Sequence, residues 1–313
     1  MRILIGLLAA GLALAQQAAP PPDDGKPTVF RLDTRIVVCH TTVIDKAGHL
    51  VTSLPQTAFS VFENKVKQQI RRFKREDVPV SLGLVIDNSG SMRNRLAQVK
   101  TAALALVKES NPNDEVFIVN FNDSAYLDNP KDKPFTNDLG ELEAALAKID
   151  TRGGTAMRDA IQMSIDHLKG GHRDKKVLVV ITDGNDNASL VGMETILKNA
   201  HKSDVLIYGV GLLSEEERRE AGRARKALND LAEATGGKTF FPKEVTEVDA
   251  IARQVAHDIR NQYVIEYSPS NSTMDGSFRA IKITAKAPGT TVRTRSGYYA
   301  TPDAKPAPAP EPK

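Results

Sequence analysis

Cysteine is nearly absent from this 313-residue sequence, which contains only Cys39. An intramolecular disulfide is therefore excluded as a source of stability. Cys39 follows Ile36, Val37 and Val38 in an apparent strand. This pattern predicts a small buried hydrophobic side chain rather than a reactive thiol.

A strong excess of charge of one sign is also absent. The net charge is only +3, from 42 lysines and arginines against 39 aspartates and glutamates. The two densest basic stretches, 65–75 and 218–226, are interleaved with apolar or acidic residues. They predict a strand with a solvated outer face and a salt-bridged helix, whereas DNA-binding domains usually concentrate basic residues on one face. We therefore expect no nucleic-acid partner.

No apolar run is long enough to span a bilayer, which takes roughly 20 residues. The longest, Ile3 to Leu14, follows the positive start Met1-Arg2 and ends at the small-x-small site Ala13-Leu14-Ala15. This pattern favours a secretory signal peptide over residues 1–15 more than a buried helix or an anchor. No cysteine stands directly after the cleavage site, so a lipid anchor there is not supported. We expect a protein without a membrane span, exported to the periplasm or secreted.

The sequence lacks the motifs of common catalytic centres. It contains no phosphate-binding P-loop, no dinucleotide-binding glycine pattern, no H-E-x-x-H and no G-x-S-x-G. The six histidines are scattered along the chain. Metal-assisted hydrolysis would need a general base near any metal, and Asp186 is the most plausible candidate. We therefore expect a protein that is not an enzyme.

The composition, 41% hydrophobic and 26% charged, is that of a globular protein, and its distribution divides the chain. Residues 16–27 form a proline-rich linker, and residues 301–313 form a proline-rich tail that we expect to be disordered. Residues 28–77 and 263–300 have strand and turn patterns. Because each β segment is too small to bury a core alone, we infer that the two pack together as a small β-sandwich.

The central region, residues 78–262, has a different hydrophobic pattern. Its strands are nearly continuous apolar runs at 82–86, 116–121, 177–181 and 205–210. Runs that are apolar on both faces indicate a sheet covered by helices on each side. Stripes with helical spacing lie between and after them, for example Leu96, Val99, Ala103 and Leu106. The region therefore predicts an α/β fold with a doubly wound, mostly parallel sheet, inserted between the two β segments.

Polar clusters follow these strands at the edge where ligands bind in such sheets. The first strand ends in Asp87-Asn88-Ser89-Gly90-Ser91, Gly153-Gly154-Thr155 precedes a helix, and Thr182-Asp183-Gly184 ends a later strand. The candidate metal ligands are the two carboxylates and three hydroxyls of these loops, namely Asp87, Ser89, Ser91, Thr155 and Asp183. A set made only of oxygen atoms suits Mg²⁺ or Mn²⁺.

The spacing of the first loop suggests how it would work. We expect Gly90 to let the backbone bend so that the Ser89 and Ser91 hydroxyls point to the same side. A helix starting at Met92 would add positive potential at its N-terminus. Neutral hydroxyl ligands would leave a metal electrophilic and ready to bind an outside carboxylate. The alternative is that Ser89 or Ser91 only caps the following helix.

The Asp87-x-Ser89-x-Ser91 loop, Thr155 and Asp183, in this order and on these elements, resemble the metal-ion-dependent adhesion site of von Willebrand factor A domains. The resemblance covers roughly residues 78–262. It implies that the loop serines and the threonine bind the metal directly or through water, that the aspartates orient ligands, and that a partner supplies a Glu or Asp.

Across its whole mature length, the chain also resembles exported bacterial proteins of the acidobacterial type that are related to von Willebrand factor A. The resemblance is carried by the segment ending Phe59-Ser60-Val61-Phe62-Glu63 and by the segments Gln262-Tyr263-Val264 and Gly297-Tyr298-Tyr299. The function of that group is poorly defined, so the resemblance implies architecture more than activity.

Two functions remain compatible with these residues. The first is a metal-dependent module that binds a protein partner through an acidic side chain. The second is a structural component of the envelope or of a secreted assembly, in which the metal only stabilises the loops. The sequence leaves open the identity of the partner, the choice between Mg²⁺ and Mn²⁺, and the oligomeric state.

Overall fold

The structure is a computed structural model that describes residues 35–75, 77–129, 132–147, 151–214 and 218–302. The predicted signal peptide, the proline-rich linker and nearly all of the tail lie outside the described residues. Every described residue belongs to one compact unit, Thr34–Lys313.

The described strands are β1 (Val37–Ile44), β2 (Phe59–Glu63), β3 (Val66–Gln68), β4 (Ile70–Lys74), β5 (Val80–Asp87), β6 (Glu115–Phe121), β7 (Ala125–Leu127), β8 (Lys175–Thr182), β9 (Val205–Gly211), β10 (Thr239–Phe240), β11 (Tyr263–Tyr267), β12 (Phe278–Ala285), β13 (Thr291–Arg293) and β14 (Gly297–Tyr299). The described α-helices are α1 (Leu96–Lys108), α2 (Leu139–Ala147), α3 (Met157–His167), α4 (Met193–Lys202), α5 (Arg218–Thr235) and α6 (Val248–Arg260). Among these residues no helix combines the length and hydropathy needed to cross a bilayer.

The central sheet has six strands in the order β10-β9-β8-β5-β6-β7, and all neighbours are parallel except β6 and β7. Every residue of β5 is buried, as expected for a strand covered on both faces. Helices α1, α2 and α6 contribute to the core on one face, and α3, α4 and α5 contribute to the core on the other. The predicted doubly wound, mostly parallel α/β fold is therefore confirmed.

The connections of β5 and β8 position the candidate site. The two strands are neighbours, but β5 leads to α1 on one face and β8 leads to α4 on the other. Where adjacent strands send their connections to opposite faces, a crevice opens beyond their carboxyl ends. Asp87 ends β5, and Asp183 follows the last residue of β8. Both predicted carboxylates therefore lie at this switch point.

Two antiparallel four-stranded sheets are built from the terminal β segments. Their orders are β13-β1-β11-β4 and β14-β12-β2-β3, so each sheet contains strands from both ends of the chain. Their inner faces share one core, which includes Val61, Tyr267 and Ile283. In the first sheet the strands of the two segments alternate, and in the second a pair from one segment lies beside a pair from the other, so neither segment completes a sheet alone.

Some local predictions need correction. The strand expected over residues 67–74 is two strands in different sheets, β3 and β4, because the chain crosses from one sheet to the other at Gln69. The strand β14 and the helices α2 and α4 were not predicted. Cys39 is fully buried, as expected, and burial raises the pKa of its thiol to about 12.

Candidate metal-binding site

Asp87 is the centre of the loop that follows β5. Its side chain is fully buried; one carboxylate oxygen accepts the Ser89 backbone N–H at 2.8 Å and the other accepts the Thr182 hydroxyl at 2.5 Å. No described lysine, arginine or histidine forms an ion pair with it. Asp87 is thus a buried carboxylate with hydrogen bonds but without a cation within the described part of the chain.

The electrostatic consequence appears in the pKa of Asp87, which is raised to about 6. The largest cause is burial, which disfavours the charged form; the nearby Asp183 carboxylate adds to the increase, while hydrogen bonds from Thr182 and Ser89 oppose it. Near neutral pH the ionised Asp87 carboxylate therefore destabilises the folded chain, and a bound cation would offset this free-energy cost.

The two loop serines lie side by side. Their hydroxyl oxygens are 3.0 Å apart, and the Ser91 hydroxyl donates to Asp183 at 2.7 Å. The hydroxyls therefore point to the same side, as the spacing predicts. Ser89 precedes a short 3-10 turn, Gly90–Asn94, but its side chain makes no capping hydrogen bond. The helix-cap alternative does not describe this serine.

Two predictions about the same loop are wrong. Gly90 does not have a positive φ, so the bend does not depend on the conformational freedom of glycine. The α-helix begins at Leu96 rather than at Met92, because the 3-10 turn intervenes. The predicted contribution of a helix N-terminus directly after Ser91 to the positive potential at the loop is therefore not supported.

The second loop is joined to the first by the backbone. The Gly90 N–H donates to the Gly153 carbonyl at 3.2 Å, and the Arg152 N–H donates to the Asn88 carbonyl at 2.9 Å. Gly153 has a φ of +71°, and a Cβ added to it would lie 2.1 Å from a carboxylate oxygen of Asp123. Here glycine is required both by the left-handed conformation and by the close approach of Asp123.

Asp123 is a structural residue of this edge that sequence reasoning missed. Its carboxylate accepts the Gly154 N–H at 2.7 Å. The sequence contained a signal for it, since Asn122-Asp123-Ser124 follows β6, a strand that ends at the same edge. Thr182 was also missed as a donor to Asp87.

Thr155 lies close to the end of β8. It is buried, and its backbone N–H donates to the Asn187 side chain at 2.9 Å. A Cβ placed on Gly184, the residue after Asp183, would come 3.6 Å from the Thr155 hydroxyl oxygen. The structure thus brings the third predicted hydroxyl next to the turn that carries the second carboxylate.

Asp183 carries the one ion pair of this cluster. Its side chain has 0% exposure, and one carboxylate oxygen lies 2.5 Å from a terminal nitrogen of Arg95, whose side chain is 33% exposed. The other oxygen accepts the Ser91 hydroxyl. Arg95 was not among the predicted site residues. Nothing in its position in the sequence indicates that its side chain contacts the residue that follows β8.

Asp186 has a structural role. Its carboxylate accepts the backbone N–H of Arg158 at 2.7 Å, the Arg158 guanidinium at 3.1 Å and the Ser189 hydroxyl at 2.7 Å. It therefore stabilises the start of α3 and its own loop. A carboxylate with these partners is poorly placed to act as a general base.

The chemistry of the donor set fits a hard divalent cation. In the described chain no three His, Cys, Asp or Glu side chains form a metal-binding group. The edge instead combines two carboxylates with three hydroxyls, all oxygen donors of the kind that Mg²⁺ and Mn²⁺ prefer. Burial of the Asp87 carboxylate without a described cation costs free energy, and such an ion would reduce that cost.

Comparisons with known proteins agree with this fold. Residues 82–185 match the family model of the von Willebrand factor type A domain. Inter-alpha-trypsin inhibitor heavy chain H4 of Bos taurus is 23% identical over 215 residues, which cover 62% of this chain and 22% of that protein. An uncharacterized protein of Borreliella burgdorferi is 29% identical over 144 residues, 45% of this chain and 40% of that protein. The chain thus spans less than a quarter of the length of the heavy chain.

A solved structure gives the same result for the fold. The von Willebrand factor type A protein from Catenulispora acidiphila superposes with a TM-score of 0.52 at 13% identity, covering 87% of this chain and 75% of that one. The central α/β region of the present chain therefore has the fold of a von Willebrand factor type A domain, as the sequence resemblance implied.

Proposed function

We propose that the von Willebrand factor type A domain of this chain binds a protein partner through a divalent metal ion, Mg²⁺ or Mn²⁺. Asp87, Ser89, Ser91, Thr155 and Asp183 would hold the ion, and an Asp or Glu side chain of the partner would complete its coordination. The observation that carries the proposal is the fully buried Asp87 carboxylate, which has no described cationic partner where three loops bring hydroxyl groups together.

The hydroxyl residues and the two aspartates of the proposed site would have different roles. The hydroxyls of Ser89, Ser91 and Thr155 are neutral donors, so they would leave most of the ion's positive charge uncompensated. Asp87 and Asp183 hold the ends of β5 and β8 and orient the loop through their hydrogen bonds. When bound, the metal supplies a positive centre with an open coordination position for an external carboxylate.

Binding is preferred to catalysis because the candidate general base, Asp186, is engaged by other residues. Asp186 is engaged with Arg158 and Ser189. His167 and His172 also have other partners, since His167 packs against Phe117 with ring centroids 4.5 Å apart and His172 contacts Glu115 at 3.0 Å.

A binding role is also preferred to a purely structural role of the metal. Hydrogen bonds and the Arg95–Asp183 ion pair already connect the loops without a metal. A cation would therefore add less order here than it would in a site whose loops are otherwise unconnected.

Affinity capture from envelope extract tests the proposal. The full chain and its Asp87→Ala variant are compared with and without Mg²⁺, and Asp174→Ala, a change of an exposed aspartate, is the matched control. We expect Mg²⁺ to enable capture by the wild type and the control only. EDTA should abolish capture without unfolding the chain. If Asp87→Ala retains the same partners, the adhesion-type function is wrong.

We also propose that the chain is exported. The proposal is supported by Met1-Arg2, the apolar run Ile3 to Leu14 and the small residues that follow it. N-terminal sequencing of the mature protein from its native compartment should give Gln16 as the first residue. A mature chain that still begins at Met1 would contradict this proposal.

A further inference from the structure

We propose that Arg95 is a built-in cation that makes metal binding and carboxylate binding at this site depend on each other. The inference rests on the proposed metal site and concerns its regulation. Arg95 would weaken metal binding in the free chain, and an acidic ligand would restore it. The site would then favour a metal and an acidic partner together over a metal alone.

The geometry places the Arg95 guanidinium inside the cluster. One of its nitrogens lies 2.5 Å from Asp183, whose side chain is completely shielded from solvent. The Arg95 backbone is held on both sides, since its N–H donates to the Met92 carbonyl at 2.9 Å and its carbonyl accepts the Val99 N–H at 3.1 Å. The side chain therefore starts from a fixed point at the beginning of α1.

The charges explain the expected effect on the metal. Asp87 and Asp183 together carry two negative charges, which would balance a divalent ion. Arg95 adds one positive charge in direct contact with Asp183. When the metal binds, Arg95 either stays and repels it or leaves Asp183 and loses a partly buried ion pair. Both outcomes lower the affinity of the free chain for the metal.

An external carboxylate reverses this penalty. It brings one negative charge to a site that otherwise holds a net positive charge. Arg95 is one-third exposed and contacts Asp183 through one terminal nitrogen, so its positive charge is not fully shielded from an external carboxylate. By thermodynamic linkage, a ligand that raises metal affinity has its own affinity raised by the metal to the same extent.

A calorimetric titration of the EDTA-treated full chain with Mn²⁺ tests the inference. We expect Arg95→Gln to bind Mn²⁺ on the order of 10-fold more tightly than the wild type, within the usual range of coupling between two ligands. Arg95→Lys keeps the charge and should stay near the wild type. Arg93→Gln is the matched control, because it removes the same charge from an exposed residue of the same turn.

A second titration compares potassium acetate with potassium chloride at equal ionic strength, after correction for Mn²⁺ bound by acetate itself. Acetate should raise the Mn²⁺ affinity of the wild type more than that of Arg95→Gln. Because the wild type alone must show this rise, the inference is testable even if Arg95→Gln does not fold.

The outcomes separate the two proposals. A wild type that takes up no Mn²⁺ overturns the metal site itself. A wild type that binds Mn²⁺ while Arg95→Gln binds no more tightly, or only as much more tightly as Arg93→Gln, overturns the inference on Arg95 and leaves the metal site standing. An absence of any effect of acetate on the wild type also overturns the inference.

Discussion

Two buried aspartates, in different regions of the molecule, have opposite surroundings. Asp258 of α6 lies where the β-sandwich meets the central domain, and its carboxylate accepts a hydrogen bond from the Arg293 guanidinium and another from the Tyr208 hydroxyl at 3.1 Å. Asp87, at the edge of the central sheet, has hydrogen-bond donors but no described cation. Both residues are at most 5% exposed.

The comparison shows how the same buried group serves two purposes. A buried charge is costly unless it is paired, and Asp258 is paired within the chain. Arg293 belongs to β13, so this pair joins the sandwich to a helix of the central domain. Among the described residues, no cation pairs with Asp87. The first arrangement stabilises the fold, and the second would be available to a ligand in the proposed site.

The largest expected effect is the loss of the Asp258 pair. Arg293→Ala would leave the carboxylate buried without its cation, and breaking such a pair costs about 3–5 kcal/mol. We expect a loss of this size in the free energy of unfolding, measured with urea. Arg72→Ala is the matched control, since Arg72 is 59% exposed and its nitrogen lies 3.8 Å from Glu266. An equal loss for the two variants would contradict the distinction between a buried and an exposed ion pair.

Replacement of Asp87 should raise the free energy of unfolding rather than lower it. Asp87→Asn removes a buried charge while keeping the size of the side chain, and a pKa raised from 3.8 to about 6 corresponds to roughly 3 kcal/mol. We therefore expect the metal-free variant to be more stable than the wild type at pH 7, by up to that amount. Asp174→Asn, which changes an exposed aspartate, should have little effect.

The pH dependence provides a check on the cause. Because the folded pKa of Asp87 lies above its unfolded value, the contribution of Asp87 to the stability of the wild type falls as the pH rises from about 4 to about 6. The difference in unfolding free energy between Asp87→Asn and the wild type should be near zero at pH 4 and grow to its full value by pH 7. Buried His40, whose pKa is lowered by burial, titrates in both proteins and cancels in this difference. A difference that does not vary with pH would contradict burial of the charge as the cause.

Metal binding should stabilise the folded chain only through the proposed site around Asp87. At a free metal concentration of 100 times Kd, a ligand stabilises the folded chain by about 2.7 kcal/mol. We expect this increment in thermal unfolding of the wild type and none in Asp87→Asn. Arg293→Ala should keep the full increment, because its pair lies outside the site. Loss of the metal response in Arg293→Ala would show that the two regions are coupled.

The smallest effect concerns one hydroxyl beside Asp258. Tyr208→Phe removes a donor at 3.1 Å while the Arg293 pair remains. The net contribution of such a hydrogen bond is about 1 kcal/mol. Urea unfolding should therefore show a much smaller loss than for Arg293→Ala. A loss as large as that of Arg293→Ala would mean that the hydroxyl, and not the ion pair, carries the stability of this contact.

Much of the fold follows from local pattern. The apolar runs of β5, β6, β8 and β9 were predicted because strands covered on both faces cannot tolerate polar residues. The helices α1, α3 and α6 were predicted from their stripes. The short strands β7, β10 and β14 were not predicted, and β3 and β4 were merged, because two to five residues carry too little periodicity to show where a chain changes sheets.

The candidate site divides in the same way. Asp87, Ser89, Ser91, Thr155 and Asp183 could be proposed from sequence, because the ends of parallel strands meet at one edge of a sheet. That they bind a metal remains a prediction. Arg95, Asp123 and Thr182 were missed as members of the site, since each reaches it through a contact with a residue far away along the chain.

The sequence by itself determined the order of strands and helices and the residue types at the switch point, because both depend on periodicity and on neighbours along the chain. Only the tertiary structure decided which carboxylate has a cation. Asp87 and Asp183 both end buried strands and look alike in sequence. The Arg95 side chain contacts Asp183 and gives it a positive partner, whereas Asp87 has none among the residues that the structure describes. Charge balance depends on distances between loops, and local sequence patterns do not specify those distances.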